Sequence, residues 1–291
     1  MSRWSKLVLS GLMMMMVLGC RGNPATVLSR LEESRRSVAR LRLDFSQVAD
    51  ASNRAVMADT EGDSSAVARE SKVATTAVEG EAATLKQLLS GLNFKEEARI
   101  LSEFNARFAE YRVLDGRIVE LAVENTNLKA QALSFGPAND AVGALENSLN
   151  AARSSFQPKD LERAELLVAQ TLLSVRETQV LQAPHIAERQ EERMASMEKQ
   201  MTDLDAKARA ALSSLRGIAP PDAQPALADA LSALDRFKAV SARIVELSRR
   251  NTHVMSLDLS LRKKPALVAA CSERLVALQD ALALEGPKST R

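Results

Sequence analysis

Between its prolines the chain places apolar residues three and four apart. Val27, Leu31, Val38, Leu41, Phe45 and Val48 do so near the start, Tyr111, Leu114, Ile118 and Leu121 in the middle, and Val268, Cys271, Leu275, Leu278 and Leu282 near the end. That is the period of an amphipathic helix. Ala, Leu, Glu, Arg, Gln, Ser and Lys dominate, while aromatic and β-branched residues are few, so strands are poorly supported and the fold class is all-α.

Helix boundaries follow from the caps and breakers. Asn23-Pro24 opens a first helix over 24–59, which the TEGD stretch ends; a second, over 64–90, stops at Gly91. Asn93 with Glu96 is a capping-box-like start for a third, reaching about 154 with a disturbance at Gly136-Pro137. Pro158 opens a fourth helix that ends near Gln182, and Pro184 a fifth that ends before Gly217. The cluster Pro220, Pro221 and Pro225 introduces a sixth that runs to about 284, disturbed at Pro265.

The third and sixth helices share an internal repeat. RIVELAVENTNLKAQALS, from Arg117, returns 126 residues later as RIVELSRRNTHVMSLDLS, from Arg243, with nine of eighteen positions identical. Residues 24–157 are therefore a first repeat and 158–285 a second. Two shorter helices match the length of one long helix, near 60 residues or roughly 90 Å. The expected architecture is six helices forming two stacked four-helix-bundle modules that share the long helices. The alternative is a single bundle of four uninterrupted 60-residue helices, against which the TEGD and QAPH breaks count.

The N-terminus changes the compartment. Arg3 and Lys6 precede an apolar run from Leu7 to Leu18, then Gly19-Cys20: signal architecture too short for a bilayer span of about twenty residues. Val17-Leu18-Gly19-Cys20 resembles a bacterial lipobox, which implies a signal over 1–19, an acylated Cys20, a tether over 20–23 and a tail at 286–291. The location expected is the cell envelope, with the chain held to a bilayer through lipid. Removal of the signal leaves 37 basic against 37 acidic side chains, so no nucleic-acid partner is expected. With Cys20 acylated no intramolecular disulfide can form, and Cys271, on its apolar stripe, reads as a core residue.

The segments EYRVLDGRIVELAVENTNLKAQALSFGPA, RFKAVSARIVELSRRNTHVMSLDLS and SVRETQVLQAP resemble the extracytoplasmic four-helix-bundle sensor domains of methyl-accepting chemotaxis receptors, in their helical bimodular form. The resemblance covers residues 25–285 or so and rests on helix faces, with no catalytic motif. It implies recognition of a small organic or amino acid between bundle helices, often in a homodimer. A receptor of that family continues into a second transmembrane helix, a HAMP module and a signalling hairpin. Here Lys288-Ser289-Thr290-Arg291 follows instead, so a separate transmembrane signalling partner is the expected route for any signal.

Candidate chemistry is sparse. No Gly-rich phosphate loop, nucleophile elbow or His-Cys pairing occurs, and neither His185 nor His253 has a second ligand at metal spacing. No enzyme, metal or cofactor is expected. Asn125 and Asn251 fall on the apolar stripes that run from Tyr111 through Leu128, Ala132 and Phe135, and from Phe237 through Val254, Asp258 and Leu261. A seam asparagine fixes helix register; in that role its exchange for leucine is neutral or stabilising. The alternative role is ligand binding by Asn125, Thr126, Asn251 and Thr252, with Arg250, beside Arg249, facing an anion. Two function classes follow: a tethered ligand-binding sensor, or a structural or adaptor lipoprotein that binds only proteins.

Overall fold

The computed structural model describes residues 24–285, and every regular element in that span is helical. Residues 1–23, with the acyl site Cys20, and 286–291 lie outside the described residues. The elements are α1 (Pro24–Val56), α2 (Glu61–Leu92), α3 (Lys95–Glu124), α4 (Thr126–Leu133), α5 (Asn139–Arg153), α6 (Pro158–Ala187), α7 (Glu191–Ile218), α8 (Gln224–Arg250), α9 (Thr252–Asp258) and α10 (Lys264–Leu284). These are the six helices expected, with the third and sixth each divided in the same manner. Among the described residues no helix is long and apolar enough to cross a membrane.

Several boundaries differ from the sequence reading. Thr60 caps α2, its Oγ1 accepting the Asp63 N–H at 3.0 Å and donating to Asp63 Oδ2 at 2.7 Å. The TEGD stretch is thus a helix start and not a gap. Asn93 does not cap α3: at φ 58° it closes α2. Its N–H donates to Ser90 O at 3.1 Å and the Phe94 N–H to Leu89 O at 3.1 Å, the paired bonds of a Schellman ending, so Gly91 stays inside the helix. Pro184 opens no helix. It lies in the last turn of α6, which ends at Ala187, and QAPH is helical.

The prolines inside the long helices are absorbed by widening. Ser134–Ala138, containing Pro137, and Leu259–Lys263, just before Pro265, are π turns. A proline ring clashes with the carbonyl four residues back in a regular helix, and a wider turn relieves that clash while keeping the chain helical. Each π turn and each break at Asn125 and Asn251 also rotates the apolar face. The stripe drawn through Ala132 and Phe135 therefore fails: Phe135 is 71% exposed, as its counterpart Leu261 is at 68%, and the core face continues through Ala130, Ala138 and Val142. Val27, drawn on the first stripe, is exposed as well.

The described chain divides into two compact units. Unit 1 comprises 24–50, Ser71–Arg112 and 266–285. Its core takes Leu41, Phe45 and Val48 from α1, Leu85 and Leu89 from α2, Phe104, Phe108 and Tyr111 from α3, and Cys271, Leu275 and Leu278 from α10. Phe45 meets the other three rings edge-on at 5.2 to 6.1 Å. Such pairs add about 0.5–1.5 kcal/mol each to their burial. Cys271 is fully buried there, and burial, with the Glu110 carboxylate, pushes its thiol up to about 12.

Unit 2 comprises Ala51–Glu70 and Val113–Pro265. Its main core draws on α4 and α5, α6, α7 and α8, and a smaller cluster joins Ala55 and Val56 to Ile118 and Ala122. It also encloses an ion pair: Lys264, 3% exposed, lies 3.5 Å from Asp115 and donates to Asn53 Oδ1 at 2.9 Å and to Ser52.

Candidate functional site

Asn125 and Asn251 are the left-handed residues that separate α3 from α4 and α8 from α9, at φ 35° and φ 51°. The left-handed region costs an ordinary L residue about 1–2 kcal/mol, and asparagine is among the few that enter it readily. The repeated asparagine is thus required by the backbone. It is not the side chain of a continuous seam, and at these φ values leucine is expected to be destabilising in place of the neutral or stabilising outcome.

A left-handed residue inside a helix strands the N–H groups that follow it. Here each break is capped by the other. The Thr126 N–H donates to Thr252 Oγ1 at 2.9 Å, and the Thr252 N–H to Thr126 Oγ1 at 3.3 Å. The two hydroxyl oxygens are 3.3 Å apart. Asn125 Oδ1 accepts the Leu128 N–H at 3.2 Å, and Asn127 Oδ1 accepts the His253 N–H at 3.1 Å. Threonine follows asparagine twice because the hydroxyl of each repeat completes the helix start of the other.

The same network closes the end of α6. Asn127 Nδ2 donates to Ile186 O at 2.6 Å and to Asn251 Oδ1 at 2.9 Å, while Asn251 Nδ2 donates to Glu188 O at 2.8 Å. Those are carbonyls without partners inside their own helix. Of the residues singled out in the sequence, Asn125, Thr126, Asn251 and Thr252 therefore come together. Arg250 does not join them: it pairs with Glu124. Arg249 holds Glu198 with two bonds, at 2.6 and 2.9 Å.

Sequence reasoning missed the polar seam of α6. Thr171, Ser174, Thr178, Gln182 and His185 are all buried along it. Their spacing of three and four was visible, but it marks no apolar stripe. Gln182 links Ser134, whose hydroxyl donates to it at 2.6 Å, with Ser241, which it reaches at 3.0 Å. His185, fully buried, bridges Ser248 at 2.6 Å and Glu198 at 2.9 Å. Arg249, and His185 after it, hold the Glu198 carboxyl below its ordinary 4.5 against the opposing effect of burial.

Beside the interlocked breaks lies a cavity of about 570 Å³. Met57, Leu128, Phe135 and Ile186 give it apolar walls, and its polar lining includes Asp59, Asn125, Gln131, Gln179 and His253. His253 Nδ1 is buried without a hydrogen-bond partner. Burial lowers the pKa of His253 from 6.5, which favours the neutral ring. Asn125 has spent its carbonyl on Leu128 and keeps its amide N–H groups. The signal for His253 was the difference between the repeats just after the shared Asn-Thr, Asn127 against His253.

Among the described residues no group of three His, Cys, Asp or Glu side chains gathers as for a metal ion. No protein-family model matches the chain, and no curated protein matches it.

Proposed function

We propose that the chain is a lipid-tethered, sensor-like lipoprotein of the bacterial envelope, held to the bilayer through acylated Cys20, that binds a small amino acid in unit 2. The observation that carries this reading is the contrast at the breaks. Thr126 and Thr252 are spent on one another and Asn127 on Ile186, Asn251 and His253, whereas the adjoining cavity keeps the Asn125 amide, the Gln131 and Gln179 side chains, the His253 ring and one carboxylate, Asp59. Amide donors suit a carboxylate group, Asp59 suits an ammonium, and the apolar walls suit a side chain. The reading agrees with what the resemblance to chemotaxis-receptor sensor domains implies, with output through a homodimer or a separate transmembrane partner.

A second reading is a structural or adaptor lipoprotein that binds only proteins. Saturation of the Asn-Thr pairs favours it, because a lock needs no ligand. A thermal-shift screen against amino acids and organic acids separates the two, since a ligand at 100 times its dissociation constant adds about 2.7 kcal/mol. The sensor reading expects a shift that Asp59→Ala and His253→Leu each remove. A flat response across the library transfers the assignment to the structural reading. For the anchor, Cys20→Ser is expected to release the chain from membranes, and unchanged fractionation refutes acylation.

A further inference from the structure

A second cavity, of about 300 Å³, lies in unit 2 among α6, α7 and α8, and shares no lining residue with the one at the helix breaks. It exists because residues that would fill a bundle layer are small. Ser174 and Thr178 take core positions on α6, and Ser241 with Ala242 faces them from α8, leaving Phe237 and Met201 as the larger walls. Two hydroxyls there are underused. Ser174 Oγ has no partner among the described residues, and Ser241 Oγ accepts from Gln182 without an acceptor for its own proton.

The charges around this cavity are already neutralised. Glu198 is engaged by Arg249 and His185, and Asp205 by Arg209 and Lys238. An anionic ligand would meet two carboxylates, and a cationic one would have to displace bound guanidinium or ammonium groups. Neither is favoured over water. A dry cavity of about 150 Å³ holds benzene, so this one has room for a body of roughly two fused rings.

We infer that this cavity is a separate binding site for a neutral, apolar molecule of about that size bearing one hydroxyl or carbonyl group, which Ser174 and Ser241 receive while Phe237 and Met201 pack its body. The site is independent of the amino-acid site proposed above, and either stands if the other fails.

Methionine methyl NMR of the full chain resolves the two cavities, because Met201 lines this one and Met57 the other. The probes are 2-naphthol and its charged counterpart 2-naphthoate. Saturable displacement of the Met201 methyl signal by 2-naphthol is expected, with Met57 unmoved and 2-naphthoate at least tenfold weaker. Ala242→Phe, at the rim, is expected to fill the cavity and abolish the response while the melting temperature is kept. Ser174→Ala, which strands no protein partner, is expected to weaken 2-naphthol by about three- to tenfold. A Met201 signal unmoved at millimolar 2-naphthol overturns the site. Equal affinity for 2-naphthoate overturns the ligand class. A response that moves Met57 and survives Ala242→Phe assigns the probe to the other cavity and overturns the proposal likewise.

Discussion

Unit 1 and unit 2 are both built from antipolar helix faces of the same period, yet they fill their interiors differently. Alanine supplies nine of the twenty-two core residues in the main cluster of unit 2 and one of eighteen in unit 1. Unit 1 has four packed aromatic rings, whereas unit 2 has the polar seam of α6, the Asn-Thr interlock, the Lys264–Asp115 pair and both cavities. Among the described residues, buried polar side chains in unit 1 are confined to Ser34, Ser37, Ser71 and Glu97. Packing large side chains yields stability without specificity for a ligand. Small residues and hydrogen bonds leave space and direction, which is what recognition requires.

The largest expected effects test that division directly. Phe104→Ala in unit 1 is expected to cost about 3–5 kcal/mol in denaturant titrations through lost burial and a cavity. Asp115→Ala in unit 2 is expected to cost a similar 3–5 kcal/mol by leaving Lys264 buried without its counter-charge. The double variant Asp115→Leu with Lys264→Met is expected to recover most of the second loss. If it does not, unit 2 depends on its ion pair in a way the comparison does not capture.

Thr126→Val and Thr252→Val each remove one hydroxyl and strand the opposite N–H, at about 1–3 kcal/mol apiece. Because the two share one interaction, the double variant is expected to cost clearly less than the sum, and simple additivity would break the interlock. At Asn125 the order of variants is diagnostic. Glycine, free to adopt φ 35°, is expected to be the mildest, with alanine costing about 1–2 kcal/mol more and leucine at least as much. A stabilised Asn125→Leu would restore the continuous-seam picture.

The smallest effect concerns pH. Burial lowers His253 from 6.5, so the unfolded chain takes up a proton before the folded one does as pH falls. The contribution of the neutral ring is complete above 6.5 and is lost as pH drops through the lowered folded value. Melting temperatures of wild type and His253→Gln are expected to converge over that interval. Parallel curves would mean that the ring is not held neutral in the folded chain.

The fold class was legible because helical period survives in composition and spacing, and proline and glycine mark most ends. What escaped was phase. Asn125 and Asn251 attracted notice by recurring, but a stripe drawn through them assumes an unbroken helix, and a left-handed residue followed by a π turn rotates everything beyond it. Phe135 and Leu261 were misplaced for that reason. The seam of α6 escaped because Gln182 and His185 lie on no apolar stripe, and only the partners brought by the Ser134–Ala138 π turn, α7 and α8 satisfy them inside. Pro184 misled because proline is read as a boundary, whereas α6 continues through it to Ala187.

Cys271 gives unit 1 a chemical clock. A thiol with no exposed surface and a pKa near 12 scarcely reacts in the closed state, so modification must wait for α10 to separate from α1, α2 and α3. Cys271 is the free cysteine of the described residues, and in a Cys20→Ser variant its labelling rate with a small disulfide reagent reads the opening frequency of unit 1 alone. Ligands of either proposed site can then be scored for whether they slow that clock, a measurement of coupling that needs no knowledge of any partner.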